Sequence, residues 1–226
     1  MTEEAVPCPT HVEFKMHTIE TADDIAAAVA ALARAEPCFG AIAARTGMPA
    51  VRRKSGGMAG LLRIVVDQQI SLAAGAAIWG RLEACLAPFE AASLLAASDE
   101  DLRACGLSAG KVRTLRAVAA AAAAGSLDYR RLETLPDDEA GAMLTAVHGI
   151  GPWTADIYLL TCLGRTDVWP VGDLALQAAA AAAFGLAERP TAAQLGGMGE
   201  PWRPWRAVAA RLLWAHYRQM NGLPAA

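Results

Sequence analysis

Leu144-Thr-Ala-Val-His-Gly-Ile-Gly-Pro-Trp-Thr-Ala155, an apolar segment, and then Asp167-Val-Trp-Pro-Val-Gly-Asp-Leu-Ala-Leu176 decide how this chain folds. The first stretch holds a tight Gly149-Ile150-Gly151 bend between two helical patterns. Glycine tolerates positive φ and leaves the backbone N–H groups around it uncovered. Pro152 suits the first turn of the next helix. Free N–H groups at a helix start attract phosphate, so the bend reads as a phosphate grip. The second stretch ends in a Pro170-Val-Gly-Asp173 turn, and a new helix opens at Asp173, a favoured N-cap residue.

Outward from this centre the chain is helical almost everywhere. Helical spacing and caps predict helices from Thr21–Asp24 to Pro37, over Phe39–Thr46, over Ala59–Gln69 and over Leu72–Leu86 behind a Ser71 cap. Further helices are predicted over Gly110–Ala124 behind Ser108, Ala140–Val147 behind Pro136-Asp-Asp-Glu139, Thr154–Leu163, Asp173–Phe184 and Trp205–Met220. Leu127–Arg131 reads as a short turn, and Thr191–Leu195 as one helical turn within a loop. Residues 1–17, with Pro7 and Pro9, read as an irregular arm. Valine and isoleucine fall in helical periods and do not alternate, so strand signals are nearly missing.

Composition narrows the class. Apolar residues make up 54% of 226 residues, which rules out a chain disordered by composition and suits one sizeable core or two lobes around a cleft. No long apolar run is free of charge and turn signals, and the acidic Met1-Thr-Glu-Glu4 start lacks a signal peptide. The five cysteines are scattered without Cys-x-x-Cys spacing, as expected of reduced thiols in a cytoplasmic protein, and argue against zinc. A net charge of −3 excludes a protein that coats DNA by bulk charge. Any DNA contact needs a local basic face, with candidates in Arg52-Arg53-Lys54, Arg63 and the Lys111, Arg113, Arg116 set.

Gly149-Ile150-Gly151 with Thr154-Ala155, joined to Trp169-Pro170-Val171-Gly172-Asp173, resembles the helix-hairpin-helix (HhH-GPD) DNA glycosylases of base excision repair. Gly106-Leu-Ser-x-x-Lys111 and Pro201-Trp202-Arg203-Pro204-Trp205-Arg206 are most similar to the alkylpurine branch, the DNA-3-methyladenine glycosylase II type. The resemblance covers roughly residues 59–219. It implies an all-α, two-lobed fold forming a single unit. One lobe spans about 59–170 with the hairpin at 144–155, and the other joins about 18–58 to 171–226. The active-site cleft lies between them.

The resemblance also implies roles. Asp173 is the expected catalytic carboxylate: breaking an N-glycosidic bond builds positive charge on the sugar, which a fixed carboxylate stabilises. Trp153 stands where strand-cutting relatives carry a lysine nucleophile, and an indole has no amine for a Schiff base. Hydrolysis without lyase activity is therefore expected. Trp153, Trp202 and Tyr158 are the candidate base-binding aromatics, Tyr158 lying one position beyond the place of a pocket tyrosine in some relatives, which is Ile157 here. An indole face stacked on a cationic alkylpurine gains about 0.5–2 kcal/mol. The Gln68-Gln69 junction points at the minor groove, and Gln69 is the expected wedge filling the gap of the flipped base. Val147, His148, Gly149, Ile150, Gly151 and Thr154 complete the expected DNA contacts. A monovalent cation, sodium or potassium, is expected on the carbonyls of Thr145, Val147 and Ile150. No other cofactor is required, and no cysteine follows Cys162 to hold an iron–sulfur cluster. The partner is duplex DNA with alkylated bases, and a monomer suffices. Two other readings stay open: a glycosylase for oxidised or mismatched bases, and a non-enzymatic hairpin module that only grips DNA.

Overall fold

A computed structural model describes residues 18–51 and 53–223. Every named element among them is helical, and the only bridge is an isolated antiparallel one between Thr18 and Arg165. In chain order the elements are α1 (Ala22–Ala35), α2 (Pro37–Thr46), α3 (Gly57–Asp67), α4 (Leu72–Cys85), α5 (Ala91–Ala96), α6 (Asp99–Ala104), α7 (Ala109–Ala123), α8 (Tyr129–Thr134), α9 (Asp137–Thr145), α10 (Pro152–Thr161), α11 (Leu174–Ala183), α12 (Ala192–Gly199), a 3₁₀ turn (Glu200–Trp202) and α13 (Arg206–Met220). The all-helical architecture expected from the sequence is the one observed.

Short polar side chains start the helices. Thr21 with Asp24, Ser98 with Asp101 and Thr191 with Gln194 form capping boxes, and Ser71 and Ser108 accept from the third N–H of α4 and α7. The Thr191 box sustains α12 for eight residues where the sequence suggested a single turn, because Leu195 anchors it in the core. Residues 129–134, expected to turn, also form a helix, capped by Asp128 and anchored by buried Leu132. In contrast, α3 stops at Asp67, two residues short of the expected end. Gln69 then adopts φ +58°, a left-handed backbone that no helix continues through.

The helices pack in two groups. In one, α3 lies against α4, α7 and α10, α9 against α10, and α7 against α5 and α6. In the other, α13 packs on α11, α2 and α1, α1 on α2, and α11 on α12. Aromatic rings fill the second group: Trp202 stands edge-on to Phe39 and Trp169 and stacks on Phe184. The stretch of chain after α10 forms the seam. Gly164 O accepts the Ile19 N–H, Thr166 O accepts the Ala207 N–H, and both carboxylate oxygens of Asp167 accept from Arg206. Asp173 leaves this seam at the start of α11.

Candidate functional site

The hairpin is built by α9, the Val147–Ile150 turn and α10. The Val147 carbonyl accepts the Ile150 N–H at 3.0 Å, and Gly149 at the third turn position has φ +85°, as a type II turn requires. A side chain there is also excluded by space: a Cβ on Gly149 would lie 2.0 Å from Thr114 Oγ1 of α7. The N–H groups of His148, Gly149 and Gly151 donate to nothing among the described residues. Together with the first turn of α10 they form an open set of donors suited to an anion.

The structure corrects part of the expected DNA-contact set. Val147 and Ile150 are buried, and their N–H groups are used within the turn, by Leu144 O and Val147 O. They shape the hairpin and offer no donor. Thr154 is buried too; its hydroxyl accepts from Gln68 Nε2 at 2.8 Å, so it orients Gln68 rather than facing solvent. His148 and Gly149 are exposed, as is Gln69.

Asp173 is held from three sides. Its Oδ1 caps α11 by accepting the Leu176 N–H at 2.8 Å and also accepts from Trp214 Nε1 at 3.2 Å. Its Oδ2 accepts from Trp153 Nε1 at 2.8 Å. The turn beneath it is closed by the Asp173 N–H to Pro170 O, and Gln177 Nε2 braces it through Val171 O. One carboxylate thus joins the start of α10, the start of α11 and the middle of α13. Trp153 and Trp214 are each half-buried, and neither pairs with another aromatic ring among the described residues. Trp214 escaped the sequence reading, where it was one more apolar position in the last helix. No local pattern links it to a carboxylate 41 residues earlier.

Two expected base-binding aromatics are core residues. Tyr158 is 0% exposed, and its hydroxyl accepts the Gly57 N–H. Trp202 is 4% exposed within the aromatic cluster of the second helix group. Neither presents a ring face to a base.

Most basic candidates are spent internally. Arg53 donates to Cys162 O and Leu163 O, Arg116 to Asp99 and three carbonyls, and Arg63 to Asp67 while lying over Trp79. Lys111 donates to Val66 O and Gln68 O. Arg113 is exposed without a hydrogen bond or ion pair among the described residues. Arg52 lies outside them.

The other carboxylates near the hairpin are placed differently. A cavity of about 440 Å³ is lined by Asp137, Asp138, Asp156, Asp167, Glu200 and Arg206 among others, and Asp173 is not part of it. Burial pushes the Asp156 carboxyl up to about 7, against the opposing pull of Arg206. Its carboxyls are matched by arginines: Asp137 pairs with Arg165, and Asp167 and Glu200 pair with both Arg203 and Arg206, so these cations are already engaged and the five carboxyls of the lining disfavour phosphate. The hairpin donors and Asp173 lie elsewhere, and their donors and fixed carboxylate make them the stronger site.

Known proteins show the same arrangement of chain. The HhH-GPD superfamily of base excision DNA repair proteins matches residues 62–204. DNA-3-methyladenine glycosylase 1 of Schizosaccharomyces pombe is 32% identical over 158 residues, covering 68% of this chain and 69% of that protein. The solved 3-methyladenine DNA glycosylase of the same yeast, in complex with abasic DNA, superposes with a TM-score of 0.77 at 27% identity, over 83% of this chain and 95% of that one. The DNA-3-methyladenine glycosidase of Bacillus halodurans superposes with a TM-score of 0.77 at 30% identity, over 92% of this chain and 95% of that one. With the open hairpin donors and the carboxylate at the head of α11 already in view, these matches establish that the chain belongs to the HhH-GPD superfamily of base excision DNA repair proteins.

Proposed function

We propose that this DNA glycosylase extrudes alkylated purines such as 3-methyladenine from duplex DNA and releases them by hydrolysis, without cutting the strand. The observation that carries this reading is Asp173, a carboxylate fixed by the indole N–H groups of Trp153 and Trp214 and by the Leu176 N–H. As the bond from C1′ to the base breaks, its electron pair leaves with the base and positive charge builds on the sugar. A preorganised carboxylate beside C1′ stabilises that charge at no reorganisation cost. Water then adds to C1′ and gives up a proton. An alkylated purine that is already cationic leaves as a neutral base, and the flanking indoles suit an electron-poor ring.

The hairpin N–H groups of His148, Gly149 and Gly151 hold one phosphate, and Gln69 fills the gap left in the duplex. Arg113 adds a charge contact. The carbonyls of Thr145, Val147 and Ile150 are neutral oxygen donors that fit a sodium or potassium ion, which would add positive charge beside the gripped phosphate. The alkylpurine reading is favoured over an oxidised-base lyase by residue 153 itself, where an indole replaces an amine. It is favoured over a passive DNA clamp because a clamp needs no carboxylate between two indoles.

Incubation with duplex treated with a methylating agent separates the three readings. The expected result is release of methylated purine, strand breaks only after alkaline treatment, and no adduct on borohydride addition. Trapping of a borohydride-stable protein–DNA adduct points to a lyase. Lesion binding with no base released points to the clamp.

A further inference from the structure

We infer that Lys111 is a positioning residue for base extrusion, setting the Gln68–Gln69 turn in register with the phosphate-gripping hairpin. The inference rests on the reading of Gln69 as the residue that enters the duplex.

Lys111 sits in the first turn of α7, and its Nζ donates to Val66 O at 2.8 Å and Gln68 O at 2.9 Å. These carbonyls lie at the end of α3, where the last backbone oxygens have no helical partner. An ammonium there also meets the negative end of the helix dipole. Burial lowers the lysine's affinity for its proton, and Asp67 works against that shift. A cation drawn inward in this way is not spread over solvent to meet phosphate.

The backbone turns sharply just past these two carbonyls. Gln69 is the only non-glycine residue with positive φ among the described residues. Such a backbone persists only where its surroundings hold it. The turn is held from two sides: Lys111 ties its backbone to α7, and the Gln68 side chain ties it to Thr154 at the head of α10. Three residues beyond Lys111, on the same face of α7, Thr114 lies where a Gly149 side chain would be. One turn of α7 therefore touches both the exposed Gln69 turn and the hairpin bend. Helix α3 does not depend on this contact for its place, because Leu61, Leu62, Ile64, Val65 and Val66 bury it. Removing the ammonium should free the turn and spare the fold.

The test uses the full chain with Lys111→Met and Lys111→Arg. Thermal melting reports folding, binding of undamaged duplex reports the hairpin, and single-turnover release at saturating protein reports extrusion and chemistry. A duplex carrying an abasic-site analogue beside 2-aminopurine reports entry of the turn into the gap. Lys111→Met should melt near wild type and bind undamaged duplex nearly as well. Its saturating release rate should fall by roughly ten- to a hundredfold, the scale of an ångström-sized misplacement. Its 2-aminopurine signal should be lost, and Lys111→Arg should restore most of both. A folded Lys111→Met that releases base within about twofold of the wild-type rate overturns the inference, since that is well short of the loss from misplacement. So does collapse of the fold in both variants, which makes Lys111 a fold residue. If wild type itself releases no base, the glycosylase reading fails. The 2-aminopurine comparison then still decides the role of Lys111, and equal signals in wild type and Lys111→Met overturn it.

Discussion

Asp173→Asn is the sharpest perturbation of the site, and the hydrogen bonds around the carboxylate dictate its outcome. In the native site both oxygens accept: Oδ1 from the Leu176 and Trp214 N–H groups, Oδ2 from the Trp153 N–H. Asparagine has one accepting oxygen. If that oxygen keeps the cap on Leu176, the amide nitrogen faces Trp153 Nε1 across 2.8 Å, donor against donor. Leaving one half-buried donor unmatched costs about 1–3 kcal/mol. At about 2–4 °C per kcal/mol for a chain of this size, the melting temperature should fall by roughly 2–12 °C. The excision rate should fall far more than stability does. Removing one preorganised electrostatic group typically costs about 10²–10³ in rate. Good leaving groups such as 3-methyladenine should lose less than neutral lesions, which depend on the enzyme for more of the barrier. Trp153→Phe removes the opposed donor, so Asp173→Asn/Trp153→Phe should regain much of the lost stability and none of the lost activity. The measurements are thermal melting and single-turnover base release on all three variants. A wild-type release rate in Asp173→Asn, or recovery of the rate in the double variant, refutes the role of the charge.

Two other substitutions probe the surroundings. Gly149→Ala must adopt φ +85° and displace Thr114, a strain of at least about 1–2 kcal/mol from the backbone alone. Weaker binding of undamaged duplex in a titration is expected, and unchanged affinity contradicts the hairpin grip. Asp156 should make stability pH-dependent. Burial raises its carboxyl from 3.8 to about 7, so between these values the native state holds a proton that the unfolded chain has lost. The stabilisation is complete below about 4 and disappears as pH rises through 7. With the carboxyl still partly reached by solvent, it amounts to on the order of 2 kcal/mol. Melting of Asp156→Asn should vary less between pH 5 and 8 than wild type and should be higher at pH 8; parallel curves refute the burial argument.

The hairpin, the Asp173 cap and the all-helical class were legible in the chain because each depends on residues close in sequence. A Gly-Ile-Gly bend before Pro152, and an aspartate after Pro-Val-Gly, act through backbone geometry within a few positions. The absence of lysine at residue 153 is likewise a fact of the sequence. Exposure is not local. Trp202 and Tyr158 are aromatic like Trp153, yet packing closes Phe39, Phe184 and Trp169 around the first and buries the second beside Gly57. The partner of Asp173 on α13, the inward turn of Lys111, and the diversion of Thr154 to hold Gln68 all join residues far apart in the chain. Short-range backbone chemistry thus determined where the open hairpin donors and the carboxylate stand. Only the packing of distant helices decided which side chains remain free to meet DNA, because a side chain's burial and its hydrogen-bond partners are properties of whatever the fold brings beside it.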